Sequence, residues 1–379
     1  MEYHLLFMIP YGHQTIDKKD IEAVVKVLKS DWLTQGPKVP EFEKALTRYG
    51  GAKYAVACSS GTAALHLAYL AAGLKKGDEV ITTPNTFVAT ANMLLAVGAK
   101  PIFCDIRLDT YNIDETKIEK LINKKTKAIV SVHFAGQSCE MDTIRKIAKK
   151  YKLLVIEDAC HALGAKYRGV KIGGCSYSDM AVFSFHPVKS ITTGEGGAVV
   201  TNNRKFYEKM LLLRNHGVFK NKQGKNVMVE LGFNYRLTDI QAALGISQLE
   251  KLDHYINARR RVAKLYELYL KNLKEIILPQ EAKEAYSGWH IYVIRVKNNK
   301  IRNQLMSYAK EKGIGVNFHY PAIYEHPYYK KQGFEDNLPF ESRYQSTCLT
   351  MPCFPDLKES EIKFITQVIN NFFLNKDDK

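Results

Sequence analysis

The sequence predicts an α/β fold in which helices flank a mostly parallel central sheet, followed by a small C-terminal α+β domain. Short apolar, β-rich runs alternate with segments of helical periodicity through the first 200 residues, and this rhythm changes afterwards. With 379 residues and 46% hydrophobic content, the chain is long enough for about two domains with sizeable cores. We expect a large domain over residues 1–245 and a small one over residues 246–379.

The elements of the large domain follow one another in a regular order. Residues 17–30 are predicted to form an amphipathic helix capped by Asp17, and further helices are expected at 62–72, 87–97 and 140–150. Strands are predicted at 54–58, 79–83, 101–104, 128–132, 153–156, 181–185 and 197–201. Repeated β-then-α units predict a parallel sheet that binds ligands at the carboxyl ends of its strands.

The second half of the chain has a different pattern. A polar-amphipathic stretch over 238–272 predicts one extended helix that leads into the small domain. There we expect strands at 289–296 and 314–318 and helices at 300–312 and 358–374.

The composition excludes several classes of protein. The net charge of +16, from 55 Lys and Arg against 39 Asp and Glu, favours acidic partners but does not distinguish nucleic acids from nucleotide sugars. No zinc-finger spacing or RNA-recognition signature accompanies the charge, so nucleic-acid binding is not predicted. The one dense basic cluster, Arg259 to Arg261, lies in a helical segment, and we interpret it as a solvated face.

The seven cysteines include no Cys-x-x-Cys pair, which disfavours both a disulfide framework and a structural zinc site. The apolar start of the chain is too short for a signal-peptide core, and no run is long enough for a membrane span. We therefore expect a cytoplasmic protein without a membrane segment.

Three motifs at strand ends suit an anionic aromatic ligand. In the first, Ser59-Ser60-Gly61-Thr62 lies between a strand and a helix, where free backbone N–H groups can bind a phosphate and Gly61 allows close approach. An ordinary helix cap with a turn glycine explains this motif equally well when it is taken alone.

The second motif is Glu157-Asp158-Ala159-Cys160-His161, which directly follows an apolar strand. A carboxylate at this place can pair with a protonated ring nitrogen and keep a pyridine ring electron-withdrawing. A plain helix cap is the alternative interpretation of Asp158. Cys160 and His161 are adjacent but have no further spaced ligands, so no metal is predicted.

The third motif runs from Phe183 to Lys189 and is followed by the glycine-rich turn 192–197. A lysine that follows a strand can point into a cleft, where partial desolvation lowers its pKa toward the neutral amine that a Schiff base requires. The aromatic and small neighbours of Lys189 favour this interpretation over a surface lysine.

Together these motifs resemble the DegT/DnrJ/EryC1/StrS family of sugar aminotransferases, which have the fold of aspartate aminotransferase (pyridoxal-phosphate fold type I). The resemblance covers nearly the whole chain. It is carried by the runs Ser60–Leu65, Pro84–Phe87, Glu157–Ala162, Phe183–Lys189, Gly194–Ala198 and Gly232–Leu237.

The resemblance implies pyridoxal 5'-phosphate as cofactor and assigns roles to individual residues. Lys189 would be the catalytic lysine that forms the Schiff base, and Asp158 would pair with the pyridine nitrogen. Phe87 would stack on the ring, and His161 would lie beside it. The phosphate would be held by Gly61, Thr62 and Ser184. Asn234 would reach into the site of a neighbouring subunit, which makes a homodimer part of the prediction.

Within the family, the sequence looks most like the pseudaminic-acid branch, whose members aminate C4 of a UDP-linked 4-keto-6-deoxy-L-sugar with L-glutamate as donor. This likeness implies the following substrate contacts: Tyr11, Asp31, Trp32, Leu33, Thr34, Gly61, Ser184, Asn234, Phe318, His319, Tyr320 and Pro321. Core aromatics are the alternative for Trp32 and Tyr320, and a His-Tyr-Pro run is also typical of relatives that act on other nucleotide sugars.

Two alternative functions remain open from the sequence. One is C4 amination of another nucleotide-linked 4-keto sugar, of the perosamine, bacillosamine or aminoarabinose type. The other is a non-catalytic regulatory or nucleic-acid-binding protein on the same fold. Family members with His in place of the Schiff-base lysine act as dehydratases, so Lys189 favours transamination.

Overall fold

A computed structural model describes residues 8–335 and 338–377 of the chain. Its α-helices are α1 (Lys18–Leu28), α2 (Lys38–Gly50), α3 (Gly61–Ala71), α4 (Ala89–Ala96), α5 (Glu115–Leu121), α6 (Met141–Tyr151), α7 (Arg204–Arg214), α8 (Asp239–Glu250), α9 (Leu252–Leu270), α10 (Asn299–Glu311), α11 (Pro327–Lys331), α12 (Pro339–Thr347) and α13 (Glu359–Asp377). Its strands are β1 (Tyr54–Cys58), β2 (Glu79–Thr82), β3 (Lys100–Phe103), β4 (Thr126–Val132), β5 (Leu154–Asp158), β6 (Lys166–Tyr167), β7 (Val170–Lys171), β8 (Met180–Ser184), β9 (Gly197–Thr201), β10 (Val218–Lys220), β11 (Asn226–Met228), β12 (Ile276–Ile277), β13 (Ala285–Tyr286), β14 (Tyr292–Val296) and β15 (Cys348–Met351).

The large domain is built on a seven-stranded sheet in the order β1-β9-β8-β5-β4-β2-β3. Only β9 runs against its neighbours β1 and β8, and the other pairs in the sheet are parallel. Successive side chains of a strand point to opposite faces, so Ala55 and Ala57 of β1 lie in one core while Val56 and Cys58 lie in the other. Helices cover both faces, and the predicted α/β fold is confirmed.

The C-terminal part has its own core. β12, β14 and β15 form a small antiparallel sheet, and apolar side chains of α9, α10 and α13 pack on it. Tyr266 of α9 and Ile362 of α13 are both completely buried in this cluster.

The predicted single helix over 238–272 is wrong, because Lys251 separates α8 from α9. Lys251 forms ion pairs with Asp17 and Asp20 at the start of α1. α8 packs on α1 and α2, whereas α9 packs on α13. Because of this break, the two halves of one polar-amphipathic segment pack in two different cores. The periodicity of the segment alone does not reveal this difference.

The predicted strand over 314–318 is also wrong. Ile314 and Asn317 form only isolated bridges, with Ile9 and Thr350 respectively. The third strand of the small sheet is β15 instead, which is short and follows α12 directly. The predicted strand over 289–296 begins only at Tyr292, because Trp289 adopts a left-handed backbone with φ of 44°.

Within the two described ranges, no helix combines the length and the apolar character that crossing a bilayer requires.

Candidate active site

A cavity of about 560 Å³ lies at the carboxyl ends of the central strands. Residues that follow β1, β2, β5 and β8 form its floor, as expected for a sheet of this topology. The segment Asn317–Pro321 of the small domain and Tyr11 near the start of the chain complete the wall. The cavity therefore lies between the two cores.

The structure brings most of the predicted site residues together. The following line the cavity: Tyr11, Gly61, Thr62, Phe87, Asp158, His161, Ser184, Lys189, Phe318, His319, Tyr320 and Pro321. Five predicted residues lie elsewhere on the surface of the chain, namely Asp31, Trp32, Leu33, Thr34 and Asn234. Trp32 and Leu33 are 56% and 47% exposed.

Lys189 follows β8 in a tight turn, in which its backbone N–H donates to the carbonyl of His186 at 2.9 Å. Its side chain lines the cavity, and burial lowers the pKa of its ammonium. The charge of Arg259 lowers this pKa further, whereas Cys160 and Asp158 oppose the shift. Lys189 is therefore biased toward the neutral amine, the form that can attack a carbonyl carbon.

Asp158 ends β5 and is held from two sides. The Thr90 hydroxyl donates to its Oδ2 at 2.6 Å, and the backbone N–H of Cys160 donates to its Oδ1 at 3.2 Å. Thr90 also contacts Thr86, with 2.8 Å between the hydroxyl oxygens. Sequence reasoning missed Thr90. Its only signal was its place three residues after Phe87, at the start of an apolar helix.

The N-terminus of α3 lies where the sequence predicts a cradle for a phosphate. Ser60 caps the helix by accepting from the backbone N–H of Ala63 at 3.1 Å, so neighbouring N–H groups at the helix start stay available to a ligand. A Cβ added at Gly61 would lie 2.8 Å from the Ser184 Cβ. Glycine is thus required here because α3 packs closely against the end of β8.

A group of imidazoles forms another part of the wall. The rings of His161 and His290 are 4.3 Å apart between centroids, and the His161 Nε2 lies 3.2 Å from the Tyr320 hydroxyl. His319 contacts the Thr350 hydroxyl through Nδ1 at 2.8 Å, and the His319–Tyr320 peptide bond is cis.

Burial lowers the pKa of His161 and of His290 well below the usual value and that of His319 to about 4. Near neutral pH these rings therefore form a neutral wall next to the Lys189 amine. His290 was missed by sequence reasoning, because the apolar segment around it gives no sign of which side chains face the cavity.

These residues fit pyridoxal phosphate. The helix N-terminus suits a phosphate, the Asp158 carboxylate suits a protonated ring nitrogen, and the Lys189 amine suits an aldehyde carbon. Phe87 is 58% exposed at the cavity and offers a flat apolar face for stacking. His161 Nδ1 has no hydrogen-bond partner among the described residues, so it is a polar atom that a bound ligand can satisfy.

The family model for DegT/DnrJ/EryC1/StrS aminotransferases matches residues 14–370, which span both domains and every wall of the cavity except Tyr11. The chain belongs to this family. It is therefore an aminotransferase, and the resemblance of its motifs is confirmed.

Three named proteins show how similar this chain is to known aminotransferases in sequence and structure. The chain is 44% identical over 367 residues to the UDP-4-amino-4,6-dideoxy-N-acetyl-beta-L-altrosamine transaminase of Campylobacter jejuni strain 81-176, covering 96% of both chains. The solved structure of Helicobacter pylori PseC, an aminotransferase of pseudaminic acid biosynthesis, is 36% identical, with a TM-score of 0.93 over 97% of this chain and all of that one. A putative sugar aminotransferase of Streptococcus pneumoniae, Spr1654, is 29% identical in its PLP form, with a TM-score of 0.92 over 97% and 98% of the two chains.

These neighbours place the chain in pyridoxal-phosphate fold type I. Aminotransferases of this fold use pyridoxal phosphate, and the amine, carboxylate and helix end of the cavity fit it. The expected cofactor is therefore confirmed at the level of the family.

Proposed function

We propose that the chain transfers the amino group of L-glutamate to C4 of a UDP-linked 4-keto-6-deoxy-L-N-acetylhexosamine. The product is UDP-4-amino-4,6-dideoxy-N-acetyl-β-L-altrosamine, a precursor of pseudaminic acid. The observation that carries this proposal is the 44% identity, over 96% of both chains, to the C. jejuni transaminase named for that product. A second C. jejuni strain has a transaminase of the same name, which is 42% identical to this chain.

In this proposal Lys189 is the catalytic residue and moves protons. Bound pyridoxal phosphate supplies an electron-withdrawing ring that stores the electron pair released when a proton leaves the donor. The neutral Nζ of Lys189 takes that proton from the α-carbon of glutamate. In the second half of the reaction, Nζ delivers a proton to C4 of the sugar. Since Lys189 approaches from one wall of the cavity, the proton arrives on one face and sets the configuration.

The other cofactor contacts in the proposal are positional. Asp158, held by Thr90, would keep the ring nitrogen protonated, Phe87 would stack on the ring, and His161 would lie beside it. Gly61, Thr62 and Ser184 bind the phosphate. The close packing of Gly61 on Ser184 supports their joint role.

For the sugar, we assign the wall formed by Tyr11, Phe318, His319, Tyr320 and Pro321 to substrate binding, with Gly61 and Ser184 at the floor. The His161 contact to the Tyr320 hydroxyl supports this arrangement, because it orients a hydrogen-bonding group toward the cavity. The wall has few charges, which suits a neutral sugar better than a diphosphate.

We also propose a homodimer with shared active sites, in which Asn234 and the segment Asp31–Thr34 reach the cavity of the partner subunit. An exposed apolar surface on and near α1 supports this proposal. Its members are Ile16, Ile21, Val25, Leu28, Trp32 and Leu33. The hairpin region adds Phe219, Met228, Val229 and Leu231, which are also exposed.

We propose that the protein works in the cytoplasm. The amino sugar that it makes would be used for a cell-surface glycan and for the glycosylation of flagellin. All seven cysteines are free, and none forms a disulfide, which agrees with a reducing compartment.

The substrate is tested by incubating the purified protein with UDP-2-acetamido-2,6-dideoxy-β-L-arabino-hex-4-ulose and L-glutamate. NMR of the product is expected to show a new amine at C4 in the altrosamine configuration, with one 2-oxoglutarate formed per sugar. A panel of other 4-keto nucleotide sugars serves as the control. Faster turnover of a perosamine-, bacillosamine- or aminoarabinose-type substrate would replace the proposed one.

The Lys189 assignment is tested by Lys189→Ala. This variant is expected to lose turnover and the borohydride-trappable cofactor adduct, because it lacks the amine that moves the proton and joins the cofactor. Lys205→Ala, at an exposed position on α7, is the matched control and should keep both. Normal activity in Lys189→Ala would refute the assignment. A colourless wild-type protein after added cofactor would favour a non-catalytic role.

A further inference from the structure

The structure separates the three consecutive arginines of α9 into different environments. Arg260 forms an ion pair with Glu281 and lies over the Tyr286 ring, 3.9 Å from its centroid. Arg261 is exposed and donates to the carbonyl of Leu357 at 3.1 Å. Arg259 is only 1% exposed. The interpretation of the cluster as a solvated face is therefore wrong for Arg259, because this turn of the helix faces inward.

Arg259 is buried without a counter-charge. Its Nη1 donates to the carbonyls of His290 at 2.9 Å and of Cys353 at 2.5 Å, while its Nε has no partner among the described residues. No carboxylate of those residues lies within ion-pair distance of it, in contrast to Arg260. Burying an unpaired guanidinium costs free energy, so a purely structural role explains the burial of Arg259 poorly.

Arg259 and Lys189 share a small internal space. A second cavity of about 10 Å³, room for about one water molecule, is lined by both side chains. Ser190 and Thr192 of the turn and Gln248 of α8 complete this small space. This shared space therefore holds little water that could screen the charge of Arg259.

We propose that Arg259 is a positioning residue whose uncompensated positive charge holds the Lys189 amine in its neutral, nucleophilic form. This inference rests on the role of Lys189 in the proposed function. In this inference, Arg259 of α9 keeps the Lys189 amine neutral before any substrate binds.

Other groups around Lys189 oppose the combined effect of burial and of the Arg259 charge. Asp158 and Cys160 face the amine from the end of β5 and favour its ammonium form, and Glu195 also lines the large cavity. The imidazoles of His161, His290 and His319 are held neutral by burial and carry no compensating charge.

The other titratable side chains near Lys189 do not supply the fixed positive charge that Arg259 provides. His13 and Tyr255 line the small cavity, and Tyr11, His186, Tyr320 and His326 line the large one. An arginine keeps its charge at every relevant pH, which a histidine in the same buried place would not.

The test measures the protonation of Lys189 directly. Full-length protein without cofactor is acetylated with a trace of acetic anhydride at pH values from 6 to 11, and mass spectrometry quantifies the Lys189 peptide. The labelling midpoint gives the pKa of the amine. Arg259→Gln, which keeps an amide donor for the two carbonyls, is expected to raise this midpoint by about one pH unit, because it removes the positive neighbour. Labelling at pH 7.5 should fall about tenfold.

Arg259→Met and Arg259→Lys separate charge from packing. Arg259→Met should raise the midpoint like Arg259→Gln, whereas Arg259→Lys should raise it less than either, because it retains a cation there. Arg260→Met is the matched control on the same helix and should leave the midpoint unchanged. If Arg259→Gln or Arg259→Met folds and keeps the wild-type midpoint, or if all three Arg259 variants shift it equally, the proposal is overturned.

A second measurement uses the protein loaded with pyridoxal phosphate. The pH at which its visible absorbance changes should also rise in Arg259→Gln and stay in place in Arg260→Met. The two proposals fail in different ways. If Lys189→Ala keeps the borohydride-trappable adduct, the proposed function is wrong, whereas an unchanged labelling midpoint in the Arg259 variants refutes only the role of Arg259.

Discussion

At the scale of single residues, Asp158 owes its position to Thr90, a side chain 68 positions away in the sequence. The hydroxyl of Thr90 bonds one carboxylate oxygen, and the backbone of Cys160 bonds the other. Both bonds fix the plane of the carboxylate at the end of β5. A carboxylate that must face one ring nitrogen needs such hydrogen bonds, because free rotation of the carboxylate would weaken its interaction with the ring.

Thr90→Val is therefore expected to lower kcat by about ten- to a hundredfold, since it removes a hydrogen bond to a charged group worth about 1.5–3 kcal/mol. Steady-state kinetics and a cofactor titration followed by fluorescence measure the effect. Thr90→Ser keeps the hydroxyl and should restore most of the loss. Wild-type kcat and cofactor affinity in Thr90→Val would show that Thr90 only fills space.

His319 makes the stability of the protein depend on pH. Burial lowers its pKa to about 4 in the folded state, below the usual value near 6.5 of the unfolded chain. The unfolded state thus binds more protons between these values, so stability is present above pH 6.5 and is lost as the pH falls toward 4.

His319→Asn should remove this dependence. The free energy of unfolding of the wild type should fall from pH 7.5 to 5.0 by about 2 kcal/mol more than that of the variant. Chemical denaturation of cofactor-free protein at both pH values measures the difference. His254→Asn, at an exposed position of α9, is the control and should behave like the wild type. An equal loss in wild type and His319→Asn would contradict the prediction.

At the scale of elements, the start of α3 is fixed by its contact with β8. Gly61 packs against Ser184 so closely that a Cβ would lie 2.8 Å from the Ser184 Cβ. Two elements that are distant in sequence thus form one cradle, and the helix N-terminus provides its N–H groups.

Gly61→Ala is expected to weaken pyridoxal phosphate binding at least tenfold, because the added methyl group pushes the helix start away from β8. Equilibrium titration monitored by cofactor absorbance measures this affinity. Gly12→Ala is the matched control, since its added Cβ would lie 3.5 Å from Val188 in ordinary contact. If Gly61→Ala binds the cofactor like the wild type, the cradle tolerates the displacement and the close packing has no functional role.

At the scale of the whole molecule, the cavity lies between two hydrophobic cores, and we propose that a second subunit completes it. Five predicted site residues lie outside the cavity of their own chain, and several of them adjoin exposed apolar side chains. Both facts are explained if this apolar surface packs against the same surface of a partner subunit.

Subunit complementation tests that explanation. Lys189→Ala and Asn234→Ala are each expected to be inactive as homodimers. When their subunits are exchanged, each hybrid dimer contains one site with both Lys189 and the partner's Asn234, so about a quarter of the wild-type activity should return. Native mass spectrometry verifies that hybrids have formed. Hybrids without activity, or an active Asn234→Ala homodimer, would exclude a shared site.

The sequence by itself determined the order of the strands along the chain, the motifs at their carboxyl ends and, through them, the family and the cofactor. These features depend on neighbours within a few residues: a strand is recognisable from its apolar run, and a helix start from Ser60 and Gly61. Lys189 and Asp158 could be predicted for this reason, since each lies at or shortly after the end of a strand.

Only the tertiary structure decided which side chains meet across the chain. Thr90 and His290 have little local signal, because their importance comes from contacts with Asp158 and His161. The break at Lys251 depends on ion pairs to α1, and β15 pairs with a strand more than fifty residues earlier. Arg259 is the clearest example: three adjacent arginines look alike in the sequence, and packing alone buries the first of them beside the small cavity that Lys189 also lines.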